Sequence, residues 1–200
     1  ISASGNTGTM TEIEIKAHVY EPLAVEKTIS QFAGEPRRLE KKDEYWAHPE
    51  NGKRVRIRVE TEFDSGGKTA SVRKMIAYKR KELKDTVEIN DEIEFSIDSQ
   101  DDFQAFLSDL GFAPKDRKQK KTLSWTVAET ARPPITIELS EVEPIGWFVE
   151  IEILMENPGQ ESIARARESL MDTLARCGVS ETELETRYYT DLLADSAKKM

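Results

Sequence analysis

Long stretches of this chain alternate apolar with charged residues at a period of two. Glu12-Ile13-Glu14-Ile15-Lys16, Arg54-Val55-Arg56-Ile57-Arg58 and Glu150-Ile151-Glu152-Ile153 are the clearest cases. Successive side chains of a β-strand point to opposite faces, so each segment carries one apolar face and one charged face. Further strands are expected over Met10 to Val19, Arg38 to Trp46, Ser71 to Lys81, Thr86 to Ile97, Lys118 to Val127, Ile135 to Val142 and Trp147 to Met155. Turn signals such as Asp64-Ser65-Gly66-Gly67 separate successive strands, which predicts a largely antiparallel sheet.

The charges are sorted between strands. Glu-Ile-Glu occurs three times, at 12–14, 92–94 and 150–152, whereas bases collect at Arg54, Arg56 and Arg58, at Lys79, and at Lys118 and Lys120. Six carboxylates brought together repel unless cations sit among them. Sorted charge of both signs suits a closed barrel with a polar lumen and helices packed outside. An open sheet with one solvated face is the alternative that the strand pattern leaves.

Helices are expected at three insertions and at the C-terminus. Pro22 opens a stretch whose Leu23, Val25, Ile29 and Phe32 share a face, ended by Gly34-Glu35-Pro36. Asp98 or Ser99 caps a short helix with Phe103, Phe106, Leu107 and Leu110, stopped by Gly111. A longer amphipathic helix spans Gln160 to Cys177. Ser180 with Glu183 reads as a capping box for a last helix toward Leu193. The class is therefore α+β.

Composition narrows the function. With 38 acids against 29 bases the net charge is −9, which argues against non-specific nucleic-acid binding. Cys177 is the only cysteine, so no internal disulfide forms and a reducing, cytoplasmic location is expected. No apolar run reaches membrane-spanning length. Residues 1–9 are small and polar and read as a tag remnant or disordered tail, with 10–195 forming a single domain. His18 and His48 lack a catalytic partner pattern and are expected at the surface or in turns. Cys177 and the three tryptophans are expected to pack.

Carboxylates at i and i+2 on one strand face lie about 7 Å apart, spaced to hold a divalent ion between facing strands. An all-oxygen donor set without a Cys/His cluster favours Mg²⁺ or Mn²⁺, which commonly arrives with substrate phosphates. Arg56 and Arg58 share a face and suit bidentate grip of phosphate oxygens, with Lys16, Lys79 and Lys120 as point charges. Acid-held metal beside a ring of bases is the chemistry of a polyphosphate site, one accepting a triphosphate.

Here a family resemblance enters. Glu12-Ile-Glu14-Ile-Lys16 resembles the ExExK signature of the CYTH family, the triphosphate tunnel metalloenzymes. In family order, Asp43-Glu44-Tyr45 resembles the second-strand motif, Val55-Arg56-Ile57-Arg58 the LRIR motif, Tyr78-Lys79 the TYK strand and Glu92-Ile93-Glu94 the EIE that follows. Ile145-Gly146-Trp147-Phe148-Val149-Glu150-Ile151-Glu152 is similar to LGxFxEIE, and Tyr189-Thr190-Asp191-Leu192-Leu193 to the SYxDLL ending of the class IV adenylyl cyclase branch.

The resemblance implies a tunnel of about eight antiparallel strands, with Glu12, Glu14, Glu150 and Glu152 on the metal. Lys16, Arg56, Arg58, Lys79, Lys118 and Lys120 would hold the phosphates, and Lys16, Arg58 and Glu138 would act on the reacting groups. The implied partner is a triphosphate such as ATP, with no nucleic acid or membrane and a monomeric or homodimeric state. Conversion of ATP to cyclic AMP and pyrophosphate comes first among the implied activities. Hydrolysis of a thiamine, nucleoside or inorganic triphosphate, and non-catalytic triphosphate binding, are the alternatives. Three positions depart from the family pattern: Asn90 replaces an Arg before the central EIE, Lys118 to Thr122 lacks the usual Lys-x-Arg pair, and Ser140 stands where an Asp is usual. Glu138, two residues before Ser140 on the same face, is placed to take over part of that role.

Overall fold

The computed structural model describes residues 10–84, 87–128 and 133–198, the side chains of 79–84 excepted. The first nine residues, expected as a tail, lie outside the described residues. Eight strands form the wall of the molecule: β1 (Met10–Val19), β2 (Arg37–Ala47), β3 (Arg54–Phe63), β4 (Thr69–Lys84), β5 (Val87–Ser96), β6 (Ala113–Val127), β7 (Ile135–Val142) and β8 (Gly146–Glu156). They close into one antiparallel barrel in the order β1-β5-β4-β3-β2-β6-β7-β8, with β8 returning to β1. The closed barrel, rather than the open sheet, is thus the solution to the sorted charges.

The alternation does what its period requires. Ile13, Ile15, Ile137, Leu139, Val149 and Ile151 are essentially solvent-free on the outer face. There they meet α1 (Pro22–Ala33), through Val25 and Ile29, and α3 (Gln160–Arg176), through Ala166, Leu170 and Leu174. Each such aliphatic side chain contributes about 1.5–3 kcal/mol on burial. The largest core therefore lies between wall and helices, outside the barrel. A second, smaller cluster places Leu107 of α2 (Gln100–Asp109) on Trp46, Ile57 and Ile76. Ser99 caps α2, its hydroxyl accepting the Asp102 N–H at 3.2 Å.

The helical cover is partial. Of the three Glu-Ile-Glu isoleucines, Ile13 and Ile151 are buried, but Ile93 on β5 is 43% exposed, beyond the edge of α2, whose Phe103 meets the neighbouring Phe95. All three tryptophans pack as expected, and Cys177 is buried at the end of α3, where burial raises its thiol pKa to about 12. Gly178 then takes a φ of 78°, a left-handed step that releases the chain from α3. No helix among the described residues is long and apolar enough to cross a membrane.

Two expectations are corrected. β6 starts at Ala113 rather than Lys118, because β2 is long enough to pair with it along Ala113 to Arg117, past a register shift at Tyr45/Trp46. The last helix does not run on from Ser180. Ser180 caps only a single 3₁₀ turn, Glu181–Glu183, and α4 (Tyr189–Ala197) is separate. Between them the chain is drawn out against β1: Leu184 bridges to Ala17, and the Glu185 N–H donates to the Lys16 carbonyl at 2.8 Å.

Candidate functional site

The inward faces of the strands converge in the lumen. On β1 the lumen residues are Glu12, Glu14 and Lys16, and β8 contributes Phe148, Glu150 and Glu152. In the β1–β8 register Glu14 stands opposite Glu152 and Lys16 opposite Glu150. Across the lumen, β2 and β3 bring Lys41, Asp43, Arg56, Arg58 and Glu60, β6 brings Lys118 and Lys120, and β7 brings Glu138. Two cavities of about 430 and 420 Å³ lie along this axis, and the walls of both include Glu14, Arg56, Lys118 and Glu150.

Acids and bases hold each other. Arg58 donates from Nε and Nη2 to the two oxygens of Asp43, at 2.6 and 2.9 Å, and Lys118 Nζ lies 3.1 Å from the same carboxylate. Burial works to raise the Asp43 pKa, but Arg58 and Lys118 outweigh it and hold the carboxyl well below its usual range. Lys120 pairs with Glu150 and stands 3.8 Å from Glu138, which also pairs with Lys41. Burial likewise opposes ionisation of Glu150, yet Lys120 and Lys118 depress its pKa. Lys41 goes the other way: burial lowers its pKa, and Arg58 and Lys120 lower it further against the pull of Glu138. Arg56 donates to Glu92 at 3.1 Å and lies 3.6 Å from Glu94, so the middle Glu-Ile-Glu faces a base. The Arg56 Nε is buried without a hydrogen bond among the described residues.

The structure thus brings into one lumen Glu12, Glu14, Lys16, Arg56, Arg58, Lys118, Lys120, Glu138, Glu150 and Glu152. The Lys79 side chain lies outside the described residues, although its backbone pairs with Glu92. Sequence reasoning missed Lys41, Glu60 and the hub role of Asp43. It quoted Tyr189 without a role, yet α4 places that ring in the lumen beside Phe148, at 5.0 Å between centroids and edge-on. His18 is not a simple surface residue: its Nε2 lies 3.1 Å from Glu185 Oε2, and its ring tilts against Phe148.

The donor set is compatible with a hard divalent ion. Glu14 and Glu152 offer facing carboxylates, and Glu12 and Glu150 extend the same two strands. No group of three His, Cys, Asp or Glu side chains among the described residues is placed to hold an ion. Phosphate oxygens and waters would therefore complete the shell, as is usual for Mg²⁺.

The CYTH domain model matches residues 10–189 of this sequence. The chain belongs to the CYTH domain family. Among solved structures, the CYTH barrel is similar to the PH1819 protein of Pyrococcus horikoshii OT3, with a TM-score of 0.77 and 26% identity over 92% of this chain and 99% of that one. A candidate adenylate cyclase from Vibrio parahaemolyticus superposes with a TM-score of 0.70 at 20% identity, covering 94% and 99% of the two chains. HpAC1 from Hippeastrum, a candidate adenylyl cyclase described as having a dominant triphosphatase activity, gives 0.59 at 17% over 92% and 96%. No curated protein sequence matches the chain.

The departures from the CYTH pattern have structural counterparts. Asn90 is buried opposite Glu12 and donates its amide to that carboxylate at 3.0 Å. Ser140 is fully buried, 2.9 Å from the Thr122 hydroxyl. Glu138 does stand two residues away on the lumen face, engaged by Lys41 and Lys120.

Proposed function

We propose that this protein is a divalent-metal-dependent enzyme acting on a triphosphate, with conversion of ATP to cyclic AMP and pyrophosphate as its reaction. The observation that carries the reading is the facing of the β1 and β8 carboxylates, with Glu14 opposite Glu152, against bases of β2, β3 and β6 in one lumen. Membership in the CYTH family, whose members act on triphosphates, supports it. Glu12, Glu14, Glu150 and Glu152 hold Mg²⁺ or Mn²⁺ in this reading. An ion held there would supply Lewis acidity toward the attacking hydroxyl and charge neutralisation on the phosphates.

The rest falls to the chain's own side chains. Lys16, Arg56, Lys118 and Lys120 bind the phosphate oxygens, and Arg58, locked by Asp43, presents a fixed positive face. The ribose 3′-oxygen attacks the α-phosphorus, the bond to the bridging oxygen breaks, and pyrophosphate leaves with its charge against the lysines. Glu138, held between Lys41 and Lys120, takes the hydroxyl proton or orients its acceptor in this reading. The single cysteine supports a cytoplasmic location for this chemistry.

Hydrolysis is the second reading, favoured by the triphosphatase activity described for HpAC1, which shares the fold. Water then attacks the terminal phosphorus in place of the ribose hydroxyl. Incubation with ATP, thiamine triphosphate and tripolyphosphate, each with Mg²⁺ or Mn²⁺, separates the two. Cyclic AMP with pyrophosphate supports the first, orthophosphate the second. Binding without turnover by any metal leaves the protein a triphosphate binder and overturns both.

A further inference from the structure

Tyr189, the first residue of α4, is the meeting point of three lumen ammonium groups. Lys16 Nζ lies 4.6 Å from the centre of its ring, Lys118 Nζ 4.7 Å and Lys120 Nζ 5.5 Å. All three lysines are at most 8% exposed and the tyrosine is 7% exposed, so water does little to screen them from one another. Ammonium ions gathered this closely repel, and they remain together only where negative charge or a negative ring face offsets the repulsion. Asp43 serves Lys118, and Glu150 pairs with Lys120 and is felt by Lys118 and Lys16 as well, but the Tyr189 ring is the surface against which all three ammonium groups lie.

The ring rather than the hydroxyl makes these contacts. The Tyr189 Oη is buried with no geometrically formed hydrogen bond among the described residues. Burial first, and then the carboxylates of Glu150, Glu14 and Glu138, raise its pKa well above the usual phenol value, so the side chain stays neutral. Phe148 fixes the ring from the side. The segment leading into α4 reinforces the arrangement, because Lys16 Nζ also donates to the Arg187 carbonyl at 2.5 Å.

We propose that Tyr189 is a positioning residue for the phosphate site: its ring face gathers Lys16, Lys118 and Lys120 into the array that a polyphosphate chain meets, making the C-terminal segment part of that site. The proposal rests on the triphosphate reading and extends it to a residue outside the barrel strands. With the ring in place, the cations are assembled before the ligand arrives, and binding need not bear the cost of collecting them. Without it they part under mutual repulsion.

The test is calorimetric binding of tripolyphosphate to the full chain in the presence of EDTA, which reads the phosphate grip apart from metal and turnover. Tyr189→Phe keeps the ring, and its Kd is expected within about twofold of wild type. Tyr189→Leu keeps apolar bulk but loses the ring face, and its Kd is expected to rise by about tenfold or more. Because Tyr189→Leu also removes a lumen aromatic, phenylalanines carrying one, two and three fluorines at position 189 provide a nearly isosteric series. Fluorine drains the ring face, so Kd should climb stepwise along the series. A flat series, a Tyr189→Leu variant that binds like wild type, or a Tyr189→Phe variant as weak as Tyr189→Leu overturns the role of the ring. Wild type that binds tripolyphosphate only with Mg²⁺ or Mn²⁺ overturns this inference alone, and wild type that binds it neither in EDTA nor with either metal overturns the triphosphate reading as well.

Discussion

Asp43 and Arg58 face each other across β2 and β3 and meet through two parallel hydrogen bonds of 2.6 and 2.9 Å. Lys118 reaches the same carboxylate from β6 at 3.1 Å, so one buried acid holds two bases together. Replacing it with a neutral amide leaves those cations facing one another without the charge that pairs them. Asp43→Asn is expected to cost about 3–5 kcal/mol of folding stability. Urea unfolding measures this, and a midpoint equal to wild type would show that the hub carries no such weight.

Acid should unfold the protein through the same groups. Asp43 and Glu150 have folded-state pKa values below their ordinary 3.8 and 4.5, since neighbouring bases outweigh burial. A depressed carboxyl contributes stability that is complete above its unfolded pKa and is lost as pH falls through the folded one. The urea midpoint is therefore expected to change little between about pH 7 and about pH 5 and to drop steeply below about pH 4. A midpoint maintained to about pH 3 would contradict the pairing described for the lumen.

Metal dependence rests on the facing carboxylates. Glu14→Gln and Glu152→Gln are each expected to weaken Mn²⁺ binding in the presence of tripolyphosphate and to lower turnover by about 10²-fold or more. EDTA should abolish turnover in the wild type, and added Mg²⁺ or Mn²⁺ should restore it. Full activity in Glu14→Gln would remove β1 from the metal site.

The C-terminal segment is latched by one carboxylate. Arg187 first, against burial, and then His18 hold the Glu185 pKa down to about 2. The latch is complete above pH 4.5, the ordinary value, and is released as pH falls toward 2. Glu185→Gln mimics the released form at neutral pH. Proteolysis at about pH 7 should cut the segment between the 3₁₀ turn and α4 about tenfold faster in this variant. Equal cleavage rates would mean that the Glu185 carboxylate does not hold the segment.

The outer core gives a purely structural prediction. Leu170 is fully buried where α3 meets the barrel wall. Leu170→Ala is expected to lose about 2–5 kcal/mol in urea unfolding, with tripolyphosphate affinity unchanged wherever the variant is folded. Weakened affinity in the folded variant would show that the lumen depends on the outer packing more closely than their separation suggests.

The wall was readable because period-two alternation is a local property, as in Glu12 to Lys16 and Arg54 to Arg58. Its closure followed less directly, from charge sorting that an open sheet would not require. What local pattern could not give is who meets whom. Lys41 and Lys42 are adjacent lysines on one strand, and only register places Lys41 in the lumen against Glu138 while Lys42 points outward at 58% side-chain exposure. Ser180 does cap, as its sequence says, but pairing of Leu184 with Ala17 cuts the helix short after one turn. Tyr189 stood out in the sequence only as the start of the Tyr189-to-Leu193 motif, with no role attached. Its place over three lysines comes from how α4 docks, which no spacing along the chain encodes.

The ring is joined where β1 meets β8, with Met10 opposite Glu156. On a ribosome β1 emerges long before its second neighbour exists, and the interval is on the order of ten seconds at ordinary elongation rates. Until then β1 has only β5 to pair with, and its other edge offers open hydrogen-bonding groups to any passing strand. Folding of this protein therefore commits late, and a nascent chain arrested before β8 is an aggregation hazard rather than a smaller working barrel.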